Sequence, residues 1–177
     1  MIDRVVALGG PPGSGKSTAG RTVADRLGLI YTSAGDAFRA EAARRGMDVE
    51  AFGRYAEVHP EVDRALDRAM QAVATPGRLL DGRIQGILCR RAGTPVAYVV
   101  VTAELAERVR RVARRDGQDE AEAARRVAER EQSERRRYRE YYGIDLERER
   151  PDLTVDSTHL PPDGVADQIV AFLTGGR

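Results

Sequence analysis

Lysine is almost missing from this chain. Of 29 basic residues, 28 are arginine and one is lysine, Lys16. Tryptophan is absent, and the single cysteine, Cys89, excludes an internal disulfide, so a reducing cytoplasm is expected. The two histidines, His59 and His159, and Cys89 have no metal-ligand spacing. The longest apolar run, Val96–Val101, is far short of the roughly 20 residues needed to span a bilayer. A glycine loop begins within ten residues of Met1, so no signal peptide is expected. Neither sign of charge dominates. The net charge is +1, from 29 basic and 28 acidic residues, which argues against a nucleic-acid-binding face.

What is present fits one compact domain over residues 1–177. Short Val/Ile-rich runs predict strands at 2–8, 29–32, 78–81, 96–102 and 153–156. Helical spacing predicts helices at 16–27, 34–45, 48–58, 60–74, 85–91, 103–117, 120–142 and 163–173. Strands alternating with helices predict an α/β fold, a five-stranded parallel sheet flanked by helices on both faces.

The strongest motif is Gly10-Pro11-Pro12-Gly13-Ser14-Gly15-Lys16-Ser17, which fits G-x-x-x-x-G-K-[ST] at every position. A predicted strand runs into it and a predicted helix, beginning Lys16-Ser17-Thr18, runs out of it. Such a loop points successive backbone N–H groups at phosphate oxygens, and the helix start adds its positive dipole end. Lys16 is placed to reach the β and γ phosphates of a nucleoside triphosphate, and Ser17 to offer a hydroxyl to Mg²⁺. The one compact ammonium in an arginine chain falls where a point charge is needed.

Beyond the loop, Ser33–Arg39 and Leu80-Asp81-Gly82-Arg83 complete an ordered series. That series resembles the nucleoside monophosphate kinases. With Gly46–Asp48, Tyr55–Glu57, Pro60–Arg64, Glu129–Glu131, Ser133–Arg135 and Tyr142–Asp145, the chain resembles the short, archaeal-type cytidylate kinases over about residues 2–172. The resemblance implies an acceptor-binding insert near 33–75 and a mobile lid within about 103–145. It implies in-line phosphoryl transfer from ATP to CMP or dCMP with Mg²⁺. A kinase for AMP, UMP or a modified cytidine monophosphate is the alternative. A monomer is expected, with no nucleic acid or membrane as partner.

Phosphoryl transfer requires two anions to be positioned and neutralised. Arg83, at the carboxyl end of a predicted strand, and Arg39, within Ser33–Arg39, are candidates for the acceptor phosphate, with Ser33 and Asp36 beside Arg39. The bland reading of Arg39 is a solvated helix arginine. Asp81 is either a Mg²⁺ partner through water or a helix cap. Arg130, Glu134 and Arg137 share one helix face and match lid positions of longer cytidylate kinases, or else form a surface salt-bridge ladder. Asp63 and Arg64 are the candidate base readers, or a solvated pair. Longer cytidylate kinases carry an acidic residue after the Gly-Arg matched by Gly82-Arg83. Here it is Ile84, so the base is expected to be read differently or less strictly. Tyr138, Tyr141 and Tyr142 are expected to pack the end of their helix, and Cys89 to pack in the core. No general base is expected, because the attacking phosphate oxygen is already ionised.

Overall fold

A computed structural model describes residues 2–148 and 150–175. Five strands, β1 (Val5–Gly9), β2 (Ile30–Ser33), β3 (Arg78–Asp81), β4 (Val96–Thr102) and β5 (Leu153–Asp156), form one parallel sheet in the order β2-β3-β1-β4-β5. Every residue of β1 is buried, as is the Ala97–Val101 stretch of β4. Helices cover both faces of the sheet, which is why these strands read as unbroken apolar runs instead of alternating ones.

Helix α1 (Lys16–Leu27) follows β1, and α2 (Ala34–Arg44), α3 (Val49–Ala56) and α4 (Pro60–Ala72) lie between β2 and β3. Helix α5 (Gln85–Arg91) joins β3 to β4. Next come α6 (Leu105–Asp116) and α7 (Glu120–Tyr142), and α8 (Pro162–Gly175) closes the chain. Local chemistry sets several of these boundaries. Side chains of Ser33, Asp48 and Asp119 cap α2, α3 and α7, each accepting a backbone N–H three residues on. Gly28, Gly117 and Gly143 end α1, α6 and α7 in the left-handed conformation. The first strand starts at Val5 instead of Ile2, where pairing with Val96 begins.

The main core lies between the sheet, α1 and α8, and includes Leu8, Val23, Leu79, Val99 and Ile169. Two outlying groups have small cores of their own. Ala42, Phe52, Ala56 and Val62 knit α2, α3 and α4 together. Val109, Val112, Ala113, Ala123 and Val127 join α6 to α7. All strands are parallel, so their carboxyl ends share one edge of the sheet. The loop after β1, Ser33, Asp81 and Ser157 are all gathered there. Cys89 is packed with Val5, Met70 and Leu80, as its apolar surroundings in the sequence suggest.

Candidate active site

The segment Gly10–Ser17 turns tightly out of β1 into α1. Gly10, Gly13 and Gly15 have φ of 138°, 80° and 82°. A Cβ at Gly10 would lie 2.1 Å from the Val101 carbonyl oxygen, and one at Gly13 would lie 2.7 Å from that of Arg108. Both positions therefore exclude a side chain by contact as well as by backbone conformation. Gly15 stands at the N-cap of α1 and supplies no capping side chain. The first N–H groups of the helix are left without the usual internal partner, the arrangement that receives an anion. Ser14 and Pro12 are buried, whereas Pro11 and Ser17 are half-buried and Thr18 is exposed on the outer side of the first turn.

Two side chains that the sequence does not single out brace this loop. Arg108, on α6, donates to the Pro12 carbonyl at 3.2 Å, to the Ala103 carbonyl at 3.1 Å and to Glu131 of α7 at 2.6 Å. Ser157, just past β5, has its hydroxyl 2.8 Å from the Ser14 carbonyl and 2.9 Å from that of Thr102, and takes a bond from Arg111. Arg108 is buried and paired with Glu131, so the loop is tied directly to the α6–α7 pair. Residues 104–139 hold 12 arginines, and only the buried ridge of α6 (Arg108, Val109, Val112, Ala113) distinguishes Arg108 from the rest.

Around Lys16 the charges converge. Lys16 is partly exposed as a residue, but desolvation of its ammonium lowers its pKa. The Asp81 carboxylate opposes this, Arg130 reinforces it, Glu134 opposes it and Arg83 reinforces it. Four of the expected site residues thus sit within electrostatic reach of the lysine. Glu134 is buried and accepts from Arg130 Nε at 2.9 Å. Desolvation pushes its carboxyl up, but Arg130, then Lys16 and Arg83, outweigh that and hold it below the usual range. Asp81, 2% exposed, accepts the Tyr31 hydroxyl at 2.5 Å. The N-terminus of α5 has no side-chain cap, so the capping role considered for Asp81 is not the one it plays.

One turn further along α7, Arg137 meets Asp63 of α4. Its Nη1 lies 2.5 and 2.6 Å from the two carboxylate oxygens, and both residues are buried. Burial raises the Asp63 pKa against the pull of Arg137. The guanidinium lies over the ring of Phe38 at 5.7 Å and over that of Tyr138 at 5.8 Å. Its Nε is buried with no hydrogen-bond partner among the described residues. On this face Glu134 and Arg137 are buried, whereas Arg130, its side chain 43% exposed, reaches in from the rim to pair with Glu134, so the face is not a plain surface ladder.

The expectation for Arg64 needs correcting. The residue is exposed on the far side of α4, and the cation that Asp63 meets is Arg137, from a helix 74 residues away. The buried side of α4 takes Val62 and Asp63, and the next step of about 100° turns Arg64 outward. Ser33 acts as the cap of α2. Asp36 is half-exposed and accepts from both Arg21 and Arg39, at 2.8 and 2.5 Å, so Arg39 lies folded along its own helix. The tyrosines do more than pack a helix end: the Tyr141 hydroxyl donates to the Ala56 carbonyl at 2.9 Å and that of Tyr142 to Asp67 at 2.6 Å, fastening α7 to α3 and α4. His59 stacks on Tyr55 at 3.8 Å and meets Glu61, whereas His159 is exposed.

The sequence is similar to that of known proteins over most of its length. The chain is 36% identical to a cytidylate kinase of Archaeoglobus fulgidus over 168 residues, covering 93% of this chain and 92% of that one. It is 42% identical to a cytidylate kinase of Pyrobaculum aerophilum, covering 88% and 85%. The chain belongs to the cytidylate kinase family. A broader family described as an AAA domain matches residues 9–139. A shikimate kinase of Bacteroides thetaiotaomicron has the same fold at a TM-score of 0.61 and 15% identity, covering 96% of this chain and 98% of that one. A shikimate kinase of Acinetobacter baumannii in complex with shikimate gives 0.63 and 15%, covering 97% and 93%. At that identity the likeness concerns the fold alone. The cytidylate kinase relatives are instead matched in sequence over most of the chain.

Among the described residues no helix is long and apolar enough to cross a membrane.

Proposed function

We propose that this chain transfers the γ-phosphoryl group of ATP to CMP or dCMP, giving ADP and CDP or dCDP. The observation that carries this reading is the convergence of Lys16, Arg83 and Arg130 between the N-terminus of α1 and the end of β3. Arg137, with its unpartnered Nε, stands one to two turns further along α7. Relatives named cytidylate kinase supply the acceptor.

In this reading the loop N–H groups and the start of α1 hold the β and γ phosphates, and Lys16 lies between them. Arg83, Arg130 and Arg137 take the acceptor phosphate, which their fork-shaped donors suit. Arg39 reaches the same phosphate once it leaves Asp36. Glu134 keeps Arg130 aimed inward and balances the cations before substrates arrive. Charge spreading over the transferring oxygens then meets donors already in place, so no reorganisation is needed at the moment of transfer. The attacking oxygen carries no proton at neutral pH, and no side chain has to act as a base.

The donor set fits Mg²⁺. The Tyr31 hydroxyl donates to the Asp81 carboxylate and has the Ser17 hydroxyl near it, which brings a hydroxyl and a carboxylate oxygen together beside the loop. Two hard oxygens suffice for an ion that keeps several waters and takes the rest of its shell from phosphates. When bound, Mg²⁺ neutralises charge on the β and γ oxygens.

The separate cores of α2–α4 and α6–α7 support the assignment of residues 33–75 to acceptor binding and of 103–145 to a lid. Such a lid excludes water and protects ATP from hydrolysis. The enzyme acts as a monomer in the cytoplasm.

A panel of nucleoside monophosphates with ATP and Mg²⁺ tests the reading. CMP and dCMP should exceed AMP, UMP and GMP by about tenfold or more in kcat/KM. No turnover of either cytosine nucleotide above the others would overturn it.

A further inference from the structure

The carboxylates on the acceptor side differ in their partners. Asp81 and Glu134 surround Lys16, and Asp63 is taken by Arg137. Asp67 is held by neutral groups instead. Its Oδ1 accepts from Gln85 Nε2 at 2.7 Å and its Oδ2 accepts the Tyr142 hydroxyl at 2.6 Å. Gln85 is itself fixed at the other end, where its Oε1 accepts from Gln71 Nε2 at 2.8 Å. This network joins α4, α5 and α7. Gln85 is 1% exposed, whereas Asp67 is half-buried.

The network begins where the cation cluster ends. Asp67 lies one turn from Asp63 on α4, Tyr142 lies one turn from Tyr138 on α7, and Gln85 follows Arg83 by two residues. Electrostatic reach links the two ends in steps. Lys16 is influenced by Glu134, Asp63 by Glu134 and Arg137, and Asp67 by Asp63 and Arg137. A nucleoside monophosphate has the same polarity, with charge at one end and a flat, hydrogen-bonding base at the other.

We propose that Asp67, fixed by Gln85 and Tyr142, reads the acceptor base by accepting a hydrogen bond from its exocyclic amino group. The proposal rests on the reading of the chain as a kinase of cytosine nucleotides and names the group that selects the base. An ionised carboxylate has about four acceptor sites and no donor. Gln85 and Tyr142 use two, leaving acceptor capacity on each oxygen. Cytosine presents an N4–H₂ donor there. Uracil presents its O4 carbonyl, so two sets of lone pairs would meet with no proton between them. Leaving such groups unpaired is what makes a polar site discriminate strongly. The two bonds to Gln85 set the direction of its amide, which cannot flip without losing both. Burial holds the Asp67 carboxyl above its ordinary range, against the bonds from Tyr142 and Gln85, which favour the ionised form that an acceptor must have. The same assignment accounts for Ile84 at the position after Gly82-Arg83. The acidic group comes from α4 and is held in place by Gln85.

The test compares wild type, Asp67→Asn and Tyr142→Phe in kcat/KM for CMP and for UMP, with the KM for ATP and the Tm measured alongside. Asp67→Asn should lower kcat/KM for CMP by about 30-fold or more while UMP changes by less than about threefold, so the CMP:UMP ratio collapses. Tyr142→Phe should lower the ratio by about three- to tenfold, with the KM for ATP unchanged. Equal losses on both substrates, with the ratio kept, would mean a structural network and would overturn the proposal. If Asp67→Asn does not fold, the ratio in Tyr142→Phe decides by the same criterion. A wild-type protein with no preference for CMP over UMP would sink the parent reading, and this proposal with it, before any variant is made. A wild-type preference that both variants retain would sink this proposal alone.

Discussion

The phosphate loop and the inner face of α7 both manage phosphate charge, but they are built in opposite ways. The loop is contiguous chain. Its shape comes from three glycines at positive φ, and its donors are backbone N–H groups. Even its braces, Arg108 and Ser157, grip carbonyl oxygens. The face of α7 is made of side chains one or two turns apart, and its key partner, Asp63, comes from 74 residues away. A backbone device is rigid and permanently organised. An ion-pair device can be exchanged: in the proposed reading Arg137 releases Asp63 for a phosphate, and Arg130 trades part of its hold on Glu134. The first suits a donor site that is always ready, and the second a surface that closes on an acceptor.

The largest effect expected within this contrast is at Lys16. Lys16→Ala should lower kcat by about 10³-fold or more, since it removes the cation between the two phosphates. Lys16→Arg should not rescue it, because the guanidinium is broader than the space the loop leaves. An active Lys16→Arg enzyme would show that charge alone suffices there.

Arg137 should be costly in a different currency. Arg137→Met leaves Asp63 buried without its cation, which is expected to cost about 3–5 kcal/mol by denaturant unfolding. Pairing it with Asp63→Leu should restore most of the stability but not the KM for CMP. Full recovery of both would mean the pair is structural, and the contrast between rigid loop and exchangeable face would fail.

Gly13→Ala sets a backbone penalty against a backbone penalty plus a collision. At Gly117, φ is 64° with open space around the Cβ, so alanine should cost only about 1–2 kcal/mol with activity intact. At Gly13 the added carbon meets the Arg108 carbonyl, so the loop must shift, and ATP affinity should fall by about tenfold or more by calorimetry. Equal behaviour at the two sites would remove the special status of the loop.

The smallest effect concerns pH. The Glu134 carboxyl is held below its ordinary pKa in the fold. Its stabilising contribution is therefore complete above the unfolded value, about 4.3, and is lost as pH falls through the lower folded value. Glu134→Gln should lose less Tm than wild type between pH 6 and pH 3. Parallel Tm curves would show that Arg130 does not depend on that charge.

The same contrast explains what the sequence made legible. The strands, the loop and all eight helices follow from local patterns: apolar runs, glycine stops and Asp or Ser caps. That Arg130, Glu134 and Arg137 share one face also follows from spacing along one helix. The partner of Asp63 does not, because adjacency in sequence pointed to Arg64 and a helix separates neighbours by about 100°. Asp63, Asp67 and Met70 lie at i, i+4 and i+7, so the buried stripe of α4 was the available sign that Asp67 belongs with Asp63. Nothing comparable marks Ser157, which reaches the loop only because β5 ends beside β4.

The strand order has a further consequence. β2 and β3 are hydrogen-bonded neighbours, with Ser33 opposite Asp81. The whole run from Ala34 to Gly77 therefore leaves the sheet and returns to the next strand along it. Its length and content can change without shifting any register in β1, β4 or β5. It behaves as a cassette: a lineage could reshape what this quarter of the chain brings to the site, Asp63 and Asp67 included, without disturbing the loop and the strands that carry it.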